Sequence, residues 1–435
     1  MIADPRSPAA PAPDAARKQK KVIVLSGGGA NGAYEVGVLK ALLSGGCRAL
    51  GTVVPHGFFG TSVGSYNASF MVSQWDEFGP AAAANLERSW MEVLAGDAGS
   101  NGVYRLRGEP TYFLNPASYL PNPLRPLLEL GVDGAFLTWL GIQRGVYLAT
   151  NVNEELRERL ANLVDFSSLI STEPWRRTIE STIDFSAIRR CDSQQLRVAA
   201  TNWATGQLRI FKNHDMTDRM GQIAVLASSA IPGVLPVVMV GAEPYVDGSV
   251  LMNTPLRPAM DEGADVMYVV YLDPNVASIP LSTLSSTIAS TYRLQQISWA
   301  ALVNAEVDRA RRINRGLAAL QKIRSGEPIE GAVRQELAKG AALVLGGDDI
   351  ETYRPITIHR FSPGDDLAEG SALGLLNLSP GHLDDLIQKG FTDATLHNCI
   401  EQGCVLPEPA LLAENPLESY LPGRLNDPRT KARKR

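Results

Sequence analysis

Apolar runs in this chain are short, and residues at helical spacing repeatedly follow them. "KVIVLS" (21–26) is a continuous β-branched run, the pattern of a strand buried on both faces. "GGGANG" (27–32) breaks it. Over 33–46, Val36, Leu39, Leu42 and Leu43 recur at helical spacing, and Gly45-Gly46 supplies a stop. "HGFFG" (56–60) predicts a second strand, and 62–73 a second helix. "LRVAATNWATGQLRIF" (196–211) reads as two strands joined by a glycine turn. Residues 223–240 read as helix, Pro-bounded turn and strand, and 244–272 as turn, helix and the strand "MYVVYL". A largely helical stretch (283–345), a strand "ITIHRF" (356–361) and a helix (381–403) complete the pattern. From 95 to 150 it is irregular, rich in proline and aromatics. Two similar stretches, 122–133 and 173–188, read as helical segments of an insertion. Strand–helix alternation of this kind predicts an α/β fold, a mostly parallel sheet covered on both faces.

Composition narrows the class. At 435 residues, 45% hydrophobic and 20% charged, the chain can build one large domain with insertions. A net charge of −5 gives no support for nucleic-acid binding. Basic clusters at 17–21 and 431–435 read as solvated tails, or less often as attraction to anionic lipid. Residues 1–20 read as a disordered lead without the apolar core of a secretory signal. No run of 18 apolar residues exists to span a membrane. Cys47, Cys191, Cys399 and Cys404 fit a reducing, cytoplasmic compartment. They show no metal or redox spacing, so the sequence reading assigns no metal and no cofactor. Residues 404–435, proline-rich and basic, read as a C-terminal tail.

The chemistry concentrates in two glycine motifs. Gly27-x-Gly29-x-x-Gly32, between a strand and a helix, has the setting of a dinucleotide site. Such a site wants an acid about 20 residues further on, and no Asp or Glu stands between Val36 and Trp75. That disfavours NAD, and Arg48 barely keeps NADP open. The same loop could instead aim backbone N–H groups at an oxyanion. The simplest alternative is a tight turn. Gly60-Thr61-Ser62-Val63-Gly64 decides between them, because it sets a serine between glycines on a strand-to-helix turn, as a nucleophile would sit. Beside Ser62, the oxyanion reading leads for Gly27, Gly28, Gly29, Ala30, Asn31 and Gly32, with Gly28, Gly29 and Ala30 the best donors.

A serine hydroxyl needs a base. None of the 5 histidines stands where an α/β-hydrolase would put one. His56 starts a strand, His214 follows a hairpin, His359 lies in a strand, and His382 and His397 fall in a helix-like segment. The other candidate is Asp247 in "YVDGSVLMNTP", after an apolar run. Burial would raise its pKa into a useful range, and Gly248 would let the backbone turn.

Taken in order, "GGGANG", "GTSVG", "LASSAIPGVLPVV" and "VDGS", with the hairpin at 196–211, resemble the patatin-like acyl hydrolases. The resemblance covers roughly 21–273 and implies a three-layer α/β/α fold with helical insertions. It implies a domain over 21–403, with core 21–273, an addition at 283–345 and closing elements at 356–403. It implies a Ser62–Asp247 dyad, an acyl-serine intermediate and no metal. Gly60, Gly64 and Gly248 would support the turns. Asn31 stands where the family often has a basic residue, and Ser249 where Gly or Ala is usual. The implied substrate is a lipid or phospholipid. A non-lipid esterase or acyltransferase, or a silent regulator on the same fold, stays open. Tyr104, Tyr112, Phe113, Tyr119, Phe136, Trp139 and Tyr147 read as an insertion packed on the core, or as a patch meeting a membrane peripherally. Oligomeric state is not indicated.

Overall fold

The computed structural model describes residues 19–97, 101–107, 125–150, 170–272, 287–325, 354–363 and 374–407. Strands are β1 (Lys21–Leu25), β2 (Gly57–Thr61), the short pair β3 (Arg105–Leu106) and β4 (Ile170–Ser171), β5 (Gln195–Asn202), β6 (Gln207–Lys212), β7 (Val238–Val240), β8 (Glu243–Asp247), β9 (Val266–Val270) and β10 (Thr357–Phe361). Helices are α1 (Gly32–Ser44), α2 (Val63–Phe78), α3 (Ala82–Ser89), α4 (Arg125–Thr150), α5 (Glu173–Thr182), α6 (Phe185–Arg190), α7 (Asp218–Ser228), α8 (Ser249–Met252), α9 (Leu256–Asp261), α10 (Thr287–Ser325) and α11 (Pro380–Thr395).

The main sheet runs β10-β9-β1-β2-β5-β8-β7, with β6 also paired to β5. From β10 to β5 every pairing is parallel, and β6, β7 and β8 pair antiparallel. The period of 2 along each strand divides the core. Ile23, Leu25 and Phe58 face a cluster holding Val36, Leu39 and Tyr66 from α1 and α2. Val22, Val24 and Phe59 face the other way, onto Leu256, Ala259, Val307, Ala310 and Ile313 of α9 and α10. Both faces are covered, giving three layers, as the near-continuous apolar strands require.

Three elements depart from the sequence reading. Where 95–150 reads as irregular, α4 runs for 26 residues, starting just before Pro126 at the first turn, where proline is tolerated. Its Gly131, Gly134, Gly141 and Gly145 have open space around them, so glycine density there marks no close packing. Glu243–Asp247, read as a turn, is strand β8. The last helix ends at Thr395 rather than 403, and Cys404 and Val405, placed at the start of the tail, lie against β10. Lys20, assigned to the lead, donates its N–H to Asp265 and its ammonium to the Glu262 carbonyl. Residues 1–18 and 408–435 lie outside the described residues, as do Tyr112, Phe113, Tyr119 and the Tyr147 side chain.

Candidate active site

β2 delivers Ser62 onto a sharp turn. With φ 55° and ψ −128°, Ser62 is the only non-glycine residue at positive φ among the described residues. Such a conformation costs on the order of 1–3 kcal/mol and persists only where its surroundings impose it. Here they do. The Ser62 N–H donates to Ser228 Oγ (2.9 Å), which donates onward to the Ala199 carbonyl (2.7 Å). The Ser62 carbonyl accepts from the N–H and the Oγ of Ser65 (2.9 and 2.6 Å). Gly64 packs so tightly that a Cβ would stand 2.6 Å from the Leu25 carbonyl oxygen, and a Cβ on Gly60 would strike the Gly64 carbonyl. Both flanking glycines are therefore required by backbone contact.

Asp247 arrives from the opposite direction. β6 occupies one edge of β5 from Arg197 to Asn202. β2 pairs along the other edge up to Thr61–Ala199, and β8 takes that edge over from Asp247–Ala200. The two strands thus meet head-on, their ends separated by one residue's rise, roughly 3.3 Å along β5. Gly248 turns the chain into α8 where a Cβ would strike the Ala199 carbonyl. Asp247 is fully buried, and Oδ1 accepts from the Ser249 N–H (2.8 Å). Burial pushes its carboxyl up to about 6, against the opposing pull of Ser249 and of the Ser62 hydroxyl. Among the described residues no donor meets Oδ2 with hydrogen-bond geometry, so an acceptor stands open beside the Ser62 hydroxyl.

The glycine loop lies alongside. Asn253, at the end of α8, ties it down: its carbonyl accepts from the Gly27 N–H (3.0 Å), and its Nδ2 donates to the Gly27 carbonyl (3.2 Å). The Asn31 N–H bonds the Gly28 carbonyl, and the Gly32 N–H the carbonyls of Ala30 and Gly29. Of the six loop residues proposed for an oxyanion, Gly27, Asn31 and Gly32 thus have their N–H groups engaged. Those of Gly28, Gly29 and Ala30 have no partner among the described residues, as expected at the start of a helical turn. Below the loop, Asn67 donates to Glu35 (2.9 Å) and the Gly32 carbonyl (3.1 Å), and accepts from Trp90 Nε1 (2.9 Å). Burial holds the Glu35 carboxyl well above its ordinary range.

Ser62, Gly29 and Ala30 open onto one cavity whose other walls include Trp90, Leu94, Trp175, Leu235 and Leu375. No histidine lines it. His56 accepts from the Lys21 N–H at the start of β1, His214 lies in a surface turn, and His382 lies in α11. His359 and His397 lie at the β10 edge beside Cys399. Sequence reasoning missed Ser228, Asn253, Asn67 and Glu35. Of these, Asn253 carried a signal, since it closes the quoted "YVDGSVLMN" stretch.

A strained serine, a buried aspartate meeting it across one strand edge and a glycine loop with free N–H groups are the parts that a serine acyl-transfer site on an α/β sheet would need. Residues 23–260 match the model of the family described as patatin-like phospholipase, and the chain belongs to that family. Among solved structures it is similar to VipD from Legionella pneumophila, at 14% identity and a TM-score of 0.33, over 87% of this chain and 66% of that one. No curated protein matches it significantly.

Proposed function

We propose that the protein hydrolyses fatty-acyl esters of lipids, in the manner of a lipase, phospholipase A or lysophospholipase, through a Ser62–Asp247 dyad. The observation that carries this reading is the head-on meeting of β2 and β8 along β5, which sets a strained serine against a buried carboxylate. Asp247 takes the proton from Ser62 as Oγ bonds to the ester carbonyl carbon. The oxyanion gathers hydrogen bonds from the N–H groups of Gly28, Gly29 and Ala30. The tetrahedral intermediate collapses, breaking the bond to the alcohol, which leaves with the proton from Asp247. Water then gives a proton to Asp247 as its oxygen bonds to the acyl carbon; the second tetrahedral intermediate breaks the acyl–Oγ bond, and Asp247 returns that proton to Ser62, freeing the fatty acid. Donors of this kind are worth about 3–4 kcal/mol each in transition-state stabilisation.

The apolar walls of Trp90, Leu94, Trp175, Leu235 and Leu375 suit an acyl chain. Helix α4 supports contact with a lipid surface. Arg105 and Arg107 hold its Asp133, which is 2% exposed, at 2.7 and 3.2 Å, and Arg107 stacks on Phe136 at 4.1 Å. Leu128, Val132, Trp139, Ile142 and Val146 are left exposed, the amphipathic presentation that lies in a membrane interface. No helix among the described residues is long and apolar enough to cross a membrane. The test is fluorophosphonate labelling, then hydrolysis of esters of increasing acyl length by the wild type and Ser62→Ala. Labelling of Ser62 and rates that rise with chain length are expected. Labelling without chain-length preference would place the substrate outside lipids.

A further inference from the structure

The far edge of the sheet holds a second polar cluster. After α11 the chain folds back, and Val405 exchanges both backbone hydrogen bonds with Ile358 of β10 (2.8 and 2.9 Å). This return brings His397, Cys399 and Cys404 to His359, which lies 40 residues before Cys399. Cys399 Sγ stands 3.5 Å from His359 Nδ1 and 3.5 Å from His397 Nε2, and Cys404 Sγ stands 3.5 Å from that same Nε2. All four donor atoms lie within 4.8 Å of one another, and only Cys399 is more than slightly exposed.

We propose that His359, His397, Cys399 and Cys404 bind a structural zinc ion that clips the closing segment onto β10. A tetrahedral zinc with Zn–S near 2.3 Å and Zn–N near 2.0–2.1 Å sets neighbouring sulfur and nitrogen ligands about 3.5 Å apart, the separation seen three times here. Two thiolates and two imidazoles, with no carboxylate or carbonyl among them, select zinc over magnesium or calcium. Four protein ligands leave no position for water, so the site is closed and structural. The surrounding shell holds the ligands in place. Tyr268 stacks on His359 (5.3 Å, 20°), Phe361 packs against His397 (4.4 Å), and the Arg360 N–H donates to Cys404 Sγ (3.3 Å). β10 lies three strands from β2, roughly 14 Å in strand spacings, which separates the ion from the ester chemistry. Its effect falls on the fold: it closes the long loop from β10 through α11 and covers an edge strand. Chelation is therefore expected to act through stability.

The experiment uses the full, untagged chain, purified without chelator. Elemental analysis should find about one zinc per chain, as a closed four-ligand site requires. Cobalt(II) substituted into the metal-free protein should give the intense visible bands of a tetrahedral thiolate site. Metal removal should lower the melting temperature by several degrees, and zinc should restore it. Cys399→Ser with Cys404→Ser should bind no metal. Because cobalt is read on the wild type, the proposal stays testable if the variant fails to fold. Reconstituted, folded wild-type protein that binds no stoichiometric zinc would overturn it. So would a Cys399–Cys404 disulfide in the native protein, or zinc retained by the double variant.

Discussion

Two buried polar clusters sit on this sheet, and they are built in opposite ways. At the Ser62–Asp247 end, backbone closes on backbone: Gly60 against Gly64, Gly64 against Leu25, Gly248 against Ala199. At the β10 edge, side chains from a strand and a returning loop converge, and the one left-handed backbone position beside them, Gly403 (φ 64°), turns the loop rather than closing backbone on backbone. The first keeps a strained serine and an open carboxylate oxygen; in the second, sulfur and nitrogen donors face one another. Strain is what a reacting site stores, whereas converging donors are what a fastening needs. Each cluster leaves a buried atom unmet, Asp247 Oδ2 in one and His397 Nδ1 in the other, so the backbone strain at Ser62 is what separates them.

The sharpest way to break this contrast is Ser62→Ala. Ester hydrolysis should fall at least about 10⁴-fold, with probe labelling abolished and the circular dichroism spectrum unchanged. Labelling at another serine would remove Ser62 from the site.

Asp247→Asn should lose activity on a similar scale, since the two residues of the proposed dyad would act as a unit. It should also gain stability. The folded-state pKa of Asp247, about 6, lies above its ordinary 3.8, so its favourable contribution is present below about pH 4 and lost as pH rises through 6. At pH 8 the ionised, buried carboxylate burdens the native state by roughly 2–3 kcal/mol, which the amide removes. Denaturant titrations of both proteins at pH 5 and 8 should show the gap opening at the higher pH. Activity of the wild type should fall as pH drops below about 6, because the base must be ionised.

Gly29→Ala sharpens the comparison at the loop. Gly29 has φ +55°, and a Cβ there would strike the Leu375 carbonyl, so a free N–H would move. A 10²–10³-fold loss in kcat, at roughly the scale of one oxyanion donor, is expected with ground-state binding largely kept. Ser228→Ala should be milder. It removes one hydrogen bond that holds the Ser62 turn, so about 3–10-fold in kcat/KM is expected. Smallest are His214→Ala and His382→Ala, which should leave kcat/KM within about two-fold. A dead variant there would reveal a histidine base.

Much of the candidate site was legible because it is made of glycines and turns. "GGGANG", "GTSVG" and "VDGS" had to be glycine-rich for backbones to touch, and that need is written locally. Ser228 and Asn67 were illegible, since a serine or an asparagine in a helix looks the same whether or not it holds a distant backbone. Proline and aromatic density misled over 95–150, where Pro126 stands at the first turn of α4 and does not break it. The tail boundary misplaced Cys404 because pairing with Ile358 depends on a strand far earlier in the chain.

By itself, the sequence determined the alternation of strands and helices, the two-sided burial of the sheet and which short motifs to bring forward as a candidate site. These depend on side-chain period and on close contacts between neighbours in the chain, both carried by short stretches. Only the tertiary structure decided that β8 runs head-on to β2, that Gly28, Gly29 and Ala30 keep free N–H groups, and that His359 meets His397, Cys399 and Cys404. Those outcomes rest on strand register and on loop return. Register is a property of pairs of distant segments, and no window of sequence contains both members.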